Sequence, residues 1–144
     1  MKSGSEADVR EAIQAMLEKI APGRFLCAER KSIGGSAIDK PVDLHVVQKV
    51  QKRAVIAIEV ANVNTTQLVG EACRLYYDSC PQKLLVLGDR NVPKNGKEQC
   101  ERLLAKLYGQ DDIRNTPVRV VNCDEDDKTE QALRDLLLIE TQSE

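Results

Sequence analysis

The sequence has few of the residues and motifs that common catalytic sites need. It has one histidine, His45, so a triad built on a serine or cysteine nucleophile is disfavoured. Its five cysteines are odd in number and contain no CxxC pair, which argues against a disulfide framework and a zinc ribbon. The segment Gly34-Gly35-Ser36 is not followed by Gly-Lys-Ser/Thr, and there is no GxGxxG. The sequence therefore gives no sign of a phosphate-binding loop.

Long apolar segments are also missing. The longest uninterrupted apolar run, Ala54 to Ile58, is far too short to cross a bilayer. The first residues are polar and do not resemble a signal peptide. Together with thiols expected to be reduced, these features predict a cytoplasmic protein with no membrane partner. The 144 residues, of which 42% are hydrophobic and 31% charged, suit one globular domain spanning 1–144.

Charge is distributed unevenly along the chain, although the net charge is only −2. Between positions 22 and 53 there are only three acids but seven bases, namely Arg24, Arg30, Lys31, Lys40, Lys49, Lys52 and Arg53. Acids dominate after Gly109. The basic half is either an ordinary solvated surface or a local footprint for nucleic acid.

Hydrophobic periodicity predicts an α/β fold with the order αβββαβαβα. Helices are expected over 5–20, with Ser5 as N-cap, from Thr65 or Thr66 to Tyr77, over 97–108 and over 129–139. Strands are expected over 25–33, 42–50, 53–60, 83–87 and 117–122. The short turn at Gln51-Lys52 requires an antiparallel hairpin, so the sheet should be mixed, with helices on its faces.

The most informative residues are two acids on the strands of this hairpin. Glu59 lies inside the run AVIAIEVAN, where an unpaired carboxylate is costly unless something compensates it. Strand alternation and a turn near Gln51-Lys52 place Glu59 opposite His45 or nearby, one step along the same face from Asp43. With Glu6 arriving from the first helix, the acids would form an oxygen-rich site of the kind that Mg²⁺ or Mn²⁺ favours. Alternatively, Asp43 is a strand-edge acid paired with a base, and Glu59 a structural acid satisfied by the loop 62–66.

These residues resemble the restriction-endonuclease-like superfamily, the PD-(D/E)xK phosphodiesterases. The likeness covers about residues 5–90: a helix, a strand, a strand with Pro41-Val42-Asp43, a hairpin, a strand ending in Glu59, a helix and a strand. It implies an αβββαβ core, here extended by αβα. It also implies that Asp43, Glu59 and Glu6 are the metal-binding acids, and that Gln67 is the helix residue nearest the site.

The chain departs from this family at one position. The family lysine, two residues after the second acid, falls on Ala61. Lys31, Lys40 or Lys49 could supply the missing ammonium, Asn62 or Asn64 could position a water, or activity could be lost.

Three functions follow as hypotheses. The first is a Mg²⁺- or Mn²⁺-dependent nuclease, a hydrolase acting on DNA rather than RNA, with a homodimer as one way of cutting both strands. The second is a catalytically inactive module of the same fold that binds nucleic acid or protein. The third is a small-ligand domain of Rossmann-like type, which the predicted hairpin disfavours. No chemical signal was found in residues 91–144.

Overall fold

The computed structural model describes residues 1–29 and 42–142, with side chains as far as residue 138. The helices are α1 Glu6–Ile20, α2 Thr65–Tyr77, α3 Gly96–Leu107 and α4 Asp126–Gln142, with a 3₁₀ helix at Ile113–Asn115. The strands are β1 Phe25–Glu29, β2 Leu44–Gln48, β3 Arg53–Ala61, β4 Gln82–Leu87 and β5 Val118–Asn122. The predicted first strand continued to Ile33, but residues 30–33 and the loop 34–36 lie outside the described ranges.

The strands form one five-stranded mixed sheet in the order β1-β2-β3-β4-β5. β1, β2 and β3 are antiparallel neighbours, whereas β3, β4 and β5 run parallel. Parallel neighbours need a crossover, and α2 and α3 provide one each. The predicted α/β class with a mixed sheet is confirmed.

The two faces of the sheet carry separate apolar clusters. α1 and α4 cover one face, where Ile13 and Leu133 pack on β-strand residues such as Ile56. α2 and α3 cover the other face, where Leu75 and Leu104 pack on the sheet. None of the helices in the described ranges is long and apolar enough to cross a membrane.

Polar side chains fix where the helices begin. The Ser5 hydroxyl accepts a hydrogen bond from the Asp8 N–H at 3.2 Å, as the sequence predicted. The cap of α2 is Asn64, one residue before the predicted threonines, and its Oδ1 accepts from the Gln67 N–H at 3.3 Å. Asn is as good an N-cap as Ser and better than Thr, so the earlier start is the favourable one.

The hairpin differs from its predicted register. Its turn spans residues 49–52, longer than a two-residue turn, and Lys52 takes the left-handed conformation with φ 54°. His45 pairs with Ala57, not with Glu59, and the register shifts between Val46 and Val47. The shift moves one strand past the other by one residue between the turn and the acids. Asp43 therefore lies in line with Glu59, one position beyond the Leu44–Ile58 pair.

Candidate functional site

Asp43 and Glu59 lie side by side on the face of the sheet that α2 covers. Asp43 immediately precedes β2, and its Oδ2 accepts a hydrogen bond from the Val60 N–H at 3.0 Å. This bond ties the Asp43 carboxylate to the neighbouring strand beside Glu59. The side chains flanking Glu59 on its own face, Ala57 and Ala61, belong to the α2–α3 apolar cluster. The two acids therefore point toward α2 and do not diverge across the sheet.

Glu59 is a buried acid among other acids. Its side chain is only 1% exposed. Burial, followed by side-chain hydrogen bonding with Asp43 and Glu71, raises the pKa of Glu59 far above its usual range. Its Oε2 atom is buried and has no hydrogen-bond partner among the described residues. Such a carboxyl is stable either as a proton-sharing group or with a cation beside it.

The helix α2 contributes two charged residues that the sequence reasoning did not single out. Glu71 contacts Glu59 from the helix side. The Nη1 atom of Arg74 lies 3.7 Å from Glu59 Oε1 and 3.4 Å from Glu71 Oε2. At 3.7 Å the guanidinium is too distant to hydrogen-bond Glu59. Burial and the neighbouring carboxyls therefore affect the pKa of Glu59 more strongly than Arg74 does. The site is a three-acid cluster with one arginine at its side.

A signal for these two residues was present in the sequence. The buried residues of α2 include Leu68, Ala72 and Leu75. Glu71 and Arg74 each lie one position before a member of that set, so they border the buried face of the helix. Charged side chains at the border of the buried face of a helix can reach the edge of the contact between that helix and the sheet.

The place of Glu6 among the metal-binding acids stays a prediction. Glu6 begins α1, and the buried residues of that helix pack on the opposite face of the sheet. The acids that contact Glu59 are Asp43 and Glu71. The described ranges contain no group of three or more His, Cys, Asp or Glu side chains arranged to hold a metal ion. A cation at this site would therefore rely on two carboxylates, with water or substrate completing its coordination.

Of the three predicted lysines, only Lys49 lies within the described part of the chain. Lys49 is exposed in the hairpin turn, six residues beyond Asp43, and at about 3.3 Å per strand residue it lies roughly 20 Å away. No lysine side chain spans that distance. Lys31 and Lys40 lie outside the described residues. Ala61 itself is fully buried in the α2–α3 cluster.

Asn62 and Asn64 have structural roles. Asn62 Nδ2 donates to the Gly4 carbonyl at 2.6 Å, and its Oδ1 accepts from the Arg90 N–H at 3.4 Å. Asn64 caps α2. Both side chains thus have backbone partners in this arrangement. Gln67 is an exposed residue in the first turn of α2.

Basic residues of the described chain gather at the opposite end of the hairpin. Arg24, Lys49, Lys52 and Arg53 are all exposed. The Arg24 carbonyl accepts from the Lys49 N–H at 3.0 Å, which brings the start of β1 beside the hairpin turn. This basic end, defined by those four residues, is separated from the acids by the length of β2.

No protein-family model matches the chain, and no curated protein sequence matches it significantly. The functional argument therefore depends on the site itself.

Proposed function

We propose that this chain is a metal-dependent phosphodiesterase domain of nuclease type, built on a restriction-endonuclease-like αβββαβ core. The observation that supports it best is the Asp43–Glu59 pair, in which a buried carboxyl oxygen has no hydrogen-bond partner among the described residues. The hairpin preceding a parallel crossover supports the proposed core. DNA is the proposed substrate, and a homodimer would allow both strands to be cut.

In this proposal Asp43 and Glu59 hold one Mg²⁺ or Mn²⁺. Mg²⁺ is usually bound through one or two carboxylates together with waters and substrate phosphates, so two protein ligands are sufficient. The cation would supply a polarised water and neutralise charge on the phosphate. The Val60 N–H orients Asp43, and the apolar packing around Ala57 and Ala61 limits water on the strand side of Glu59.

The decisive experiment compares DNA cleavage and Mn²⁺ affinity across matched variants. Asp43→Asn and Glu59→Gln keep the side-chain size while removing the charge. Glu98→Gln is the control, because Glu98 is an exposed acid on α3 that pairs only with Arg102 among the described residues. We expect metal-dependent cleavage to fall by about 10²-fold or more in both site variants and to persist in the control. Mn²⁺ affinity by titration calorimetry should fall in parallel.

Two results would count against this function. Cleavage that persists in both Asp43→Asn and Glu59→Gln would exclude these acids from the mechanism. A wild-type protein that neither binds Mn²⁺ nor cleaves DNA would exclude the enzyme.

The basic end supports a second candidate, a non-catalytic nucleic-acid-binding module. Ala61 offers no ammonium at the acids, and Arg24, Lys49 and Lys52 offer an exposed cationic surface elsewhere. This candidate predicts DNA binding that weakens steeply with salt, because phosphate contacts release counterions. Lys49→Ala with Lys52→Ala should reduce both the affinity and the salt dependence. Lys106→Ala, at an exposed position on α3, should change neither.

A further inference from the structure

The acids need a positive charge that the position of the family lysine does not provide. Ala61 is apolar and fully buried. Lys83, the buried lysine of β4, donates from Nζ to the Tyr76 carbonyl and lies 5.6 Å and 5.7 Å from the ring centres of Tyr76 and Tyr108. Its ammonium is thus held at the C-terminal end of α2, among aromatic rings. The cation that the described residues bring to the acids is Arg74.

The geometry of Arg74 suits a group that meets a ligand. Its side chain is 36% exposed, whereas Glu59 is 1% exposed, so the guanidinium lies between the buried acid and solvent. Both contacts with the acids are made by Nη1, at 3.4 Å and 3.7 Å. A guanidinium carries five N–H donors on three nitrogens, and its fork matches the spacing of phosphate oxygens. Neither contact is short enough to immobilise it as a tight bidentate pair would.

We propose that Arg74 binds a non-bridging oxygen of the substrate phosphodiester and supplies the positive charge that the absent lysine would otherwise provide. This inference rests on the proposed function, because it assumes that Asp43 and Glu59 hold the metal. In the reaction a water oxygen forms a bond to phosphorus and the bond from phosphorus to the leaving sugar oxygen breaks. The attacking water gives a proton to bulk solvent, and the leaving oxygen takes up a proton from solvent. Arg74 neutralises charge on the phosphate throughout and transfers no proton.

The test distinguishes Arg74 from the metal ligands by measuring two quantities, the kcat of cleavage and the affinity for Mn²⁺. In Arg74→Gln we expect kcat for Mn²⁺-dependent cleavage of a short DNA duplex to fall by about 10²-fold. Mn²⁺ affinity should stay the same or tighten, because a cation 3.7 Å from Glu59 no longer competes with the metal. In Asp43→Asn both quantities should fall. Arg102→Gln is the matched control, since Arg102 is an exposed helix arginine paired with Glu98 at 2.8 Å.

Arg74→Lys provides a second variant that keeps the charge and tests the need for a guanidinium. It should bind Mn²⁺ like wild type and retain more activity than Arg74→Gln. If Arg74→Gln does not fold, the role of Arg74 is tested by comparing Arg74→Lys with wild type. An unchanged kcat and KM in Arg74→Lys would then overturn the assignment.

The outcomes distinguish the two proposals. Cleavage that depends on Asp43 and Glu59 but is unchanged in Arg74→Gln would overturn the role of Arg74 and leave the nuclease intact. A loss of Mn²⁺ binding in Arg74→Gln would assign Arg74 to building the acid cluster and would also overturn the inference. A wild-type protein with neither Mn²⁺ binding nor cleavage would remove both.

Discussion

The side chain of Gln14 lies at the edge of the sheet formed by β1. Among the described strands, β1 has β2 on one side and no strand on the other. On that open side Gln14 Oε1 accepts from the Cys27 N–H at 2.7 Å, and Gln14 Nε2 donates to the Phe25 carbonyl at 3.2 Å. A side-chain amide thus presents one acceptor and one donor to the strand, as the backbone of a neighbouring strand would. We expect Gln14 to stabilise β1 and to protect the edge from pairing with another chain.

The size of the effect follows from these two bonds. Gln14→Ala removes the partners of two partly buried backbone groups, and each such loss costs about 1–3 kcal/mol. A few tenths of a kcal/mol of this loss in stability is offset because alanine is a better helix former than glutamine. We expect the free energy of unfolding to fall by roughly 2–5 kcal/mol, a large part of the ~5–15 kcal/mol that typically stabilises a domain.

Urea denaturation followed by far-ultraviolet circular dichroism measures this change, since the chain has no tryptophan to report by fluorescence. The control is Gln131→Ala on α4. Gln131 donates to Asp135 at 2.9 Å one helical turn away, just as Gln14 donates to Glu18 at 3.2 Å, but it is exposed and has no recorded contact with a strand. The control should lose at most about 0.5 kcal/mol.

Gln14→Glu extends the test, because a carboxylate can accept from Cys27 but cannot donate to Phe25. Its stability should lie between those of wild type and Gln14→Ala. Gln14→Ala should also self-associate at high concentration, as sedimentation velocity would reveal. Equal stability losses in Gln14→Ala and Gln131→Ala would refute the reasoning.

Two further predictions concern close packing and thiol reactivity. A Cβ added at Gly88 would overlap the side-chain amide of Asn62, so Gly88→Ala should destabilise the fold by about 1–3 kcal/mol. That loss should shrink in the Asn62→Ala background of a double-mutant cycle by urea denaturation, and additive losses would contradict the contact. Burial raises the pKa of the Cys27 thiol to about 12, and Cys73 is the one cysteine of the five that is not buried. A thiol reagent should therefore modify Cys73 first in the native protein at mildly alkaline pH, and rapid labelling of Cys27 in the folded state would be the contrary result.

Much of the fold could be predicted from the sequence because local pattern and tertiary packing agree. The helical spacing of Val9, Ile13 and Leu17 marks the buried residues of α1. The apolar run of β3 is buried on both faces, as a central strand should be, with Ile56 in one cluster and Ala57 in the other. In α1 the periodicity identifies the element, whereas in β3 the shortness of the run and its β-branched residues do so.

The register of the hairpin could not be predicted in the same way. It depends on the length of the turn and on the shift between Val46 and Val47. Nothing in the residues of either strand marks that shift, because valine suits a regular and an irregular ladder equally well. Asp43 and Glu59 share one face of the sheet, as predicted. His45, the predicted partner of Glu59, pairs with Ala57 instead.

The supporting residues of the site were harder to predict because they come from another element. Glu71 and Arg74 meet Glu59 only after α2 has packed on the sheet, and no spacing in the sequence links position 59 to position 71. Glu6 was expected from the family pattern, and its place in the site stays a prediction; the buried residues of α1 pack on the other face of the sheet. For α2 and α3, the face that each helix covers is set by the crossover connections and not by the residues of the helix.

The carboxyl group of Glu59 gives the acid cluster its functional interest. Other buried polar side chains, such as those of Gln82 and Tyr108, also keep an atom without a hydrogen-bond partner among the described residues, but none of them is an acid packed against other acids. At Glu59 a carboxyl is surrounded by two more carboxyls and keeps one oxygen unsatisfied. A glutamine or an apolar residue there would avoid that penalty, so stability alone does not account for the choice of residue. Positions that break local rules are where function is expected, and Glu59, beside Asp43 and Arg74, is such a position.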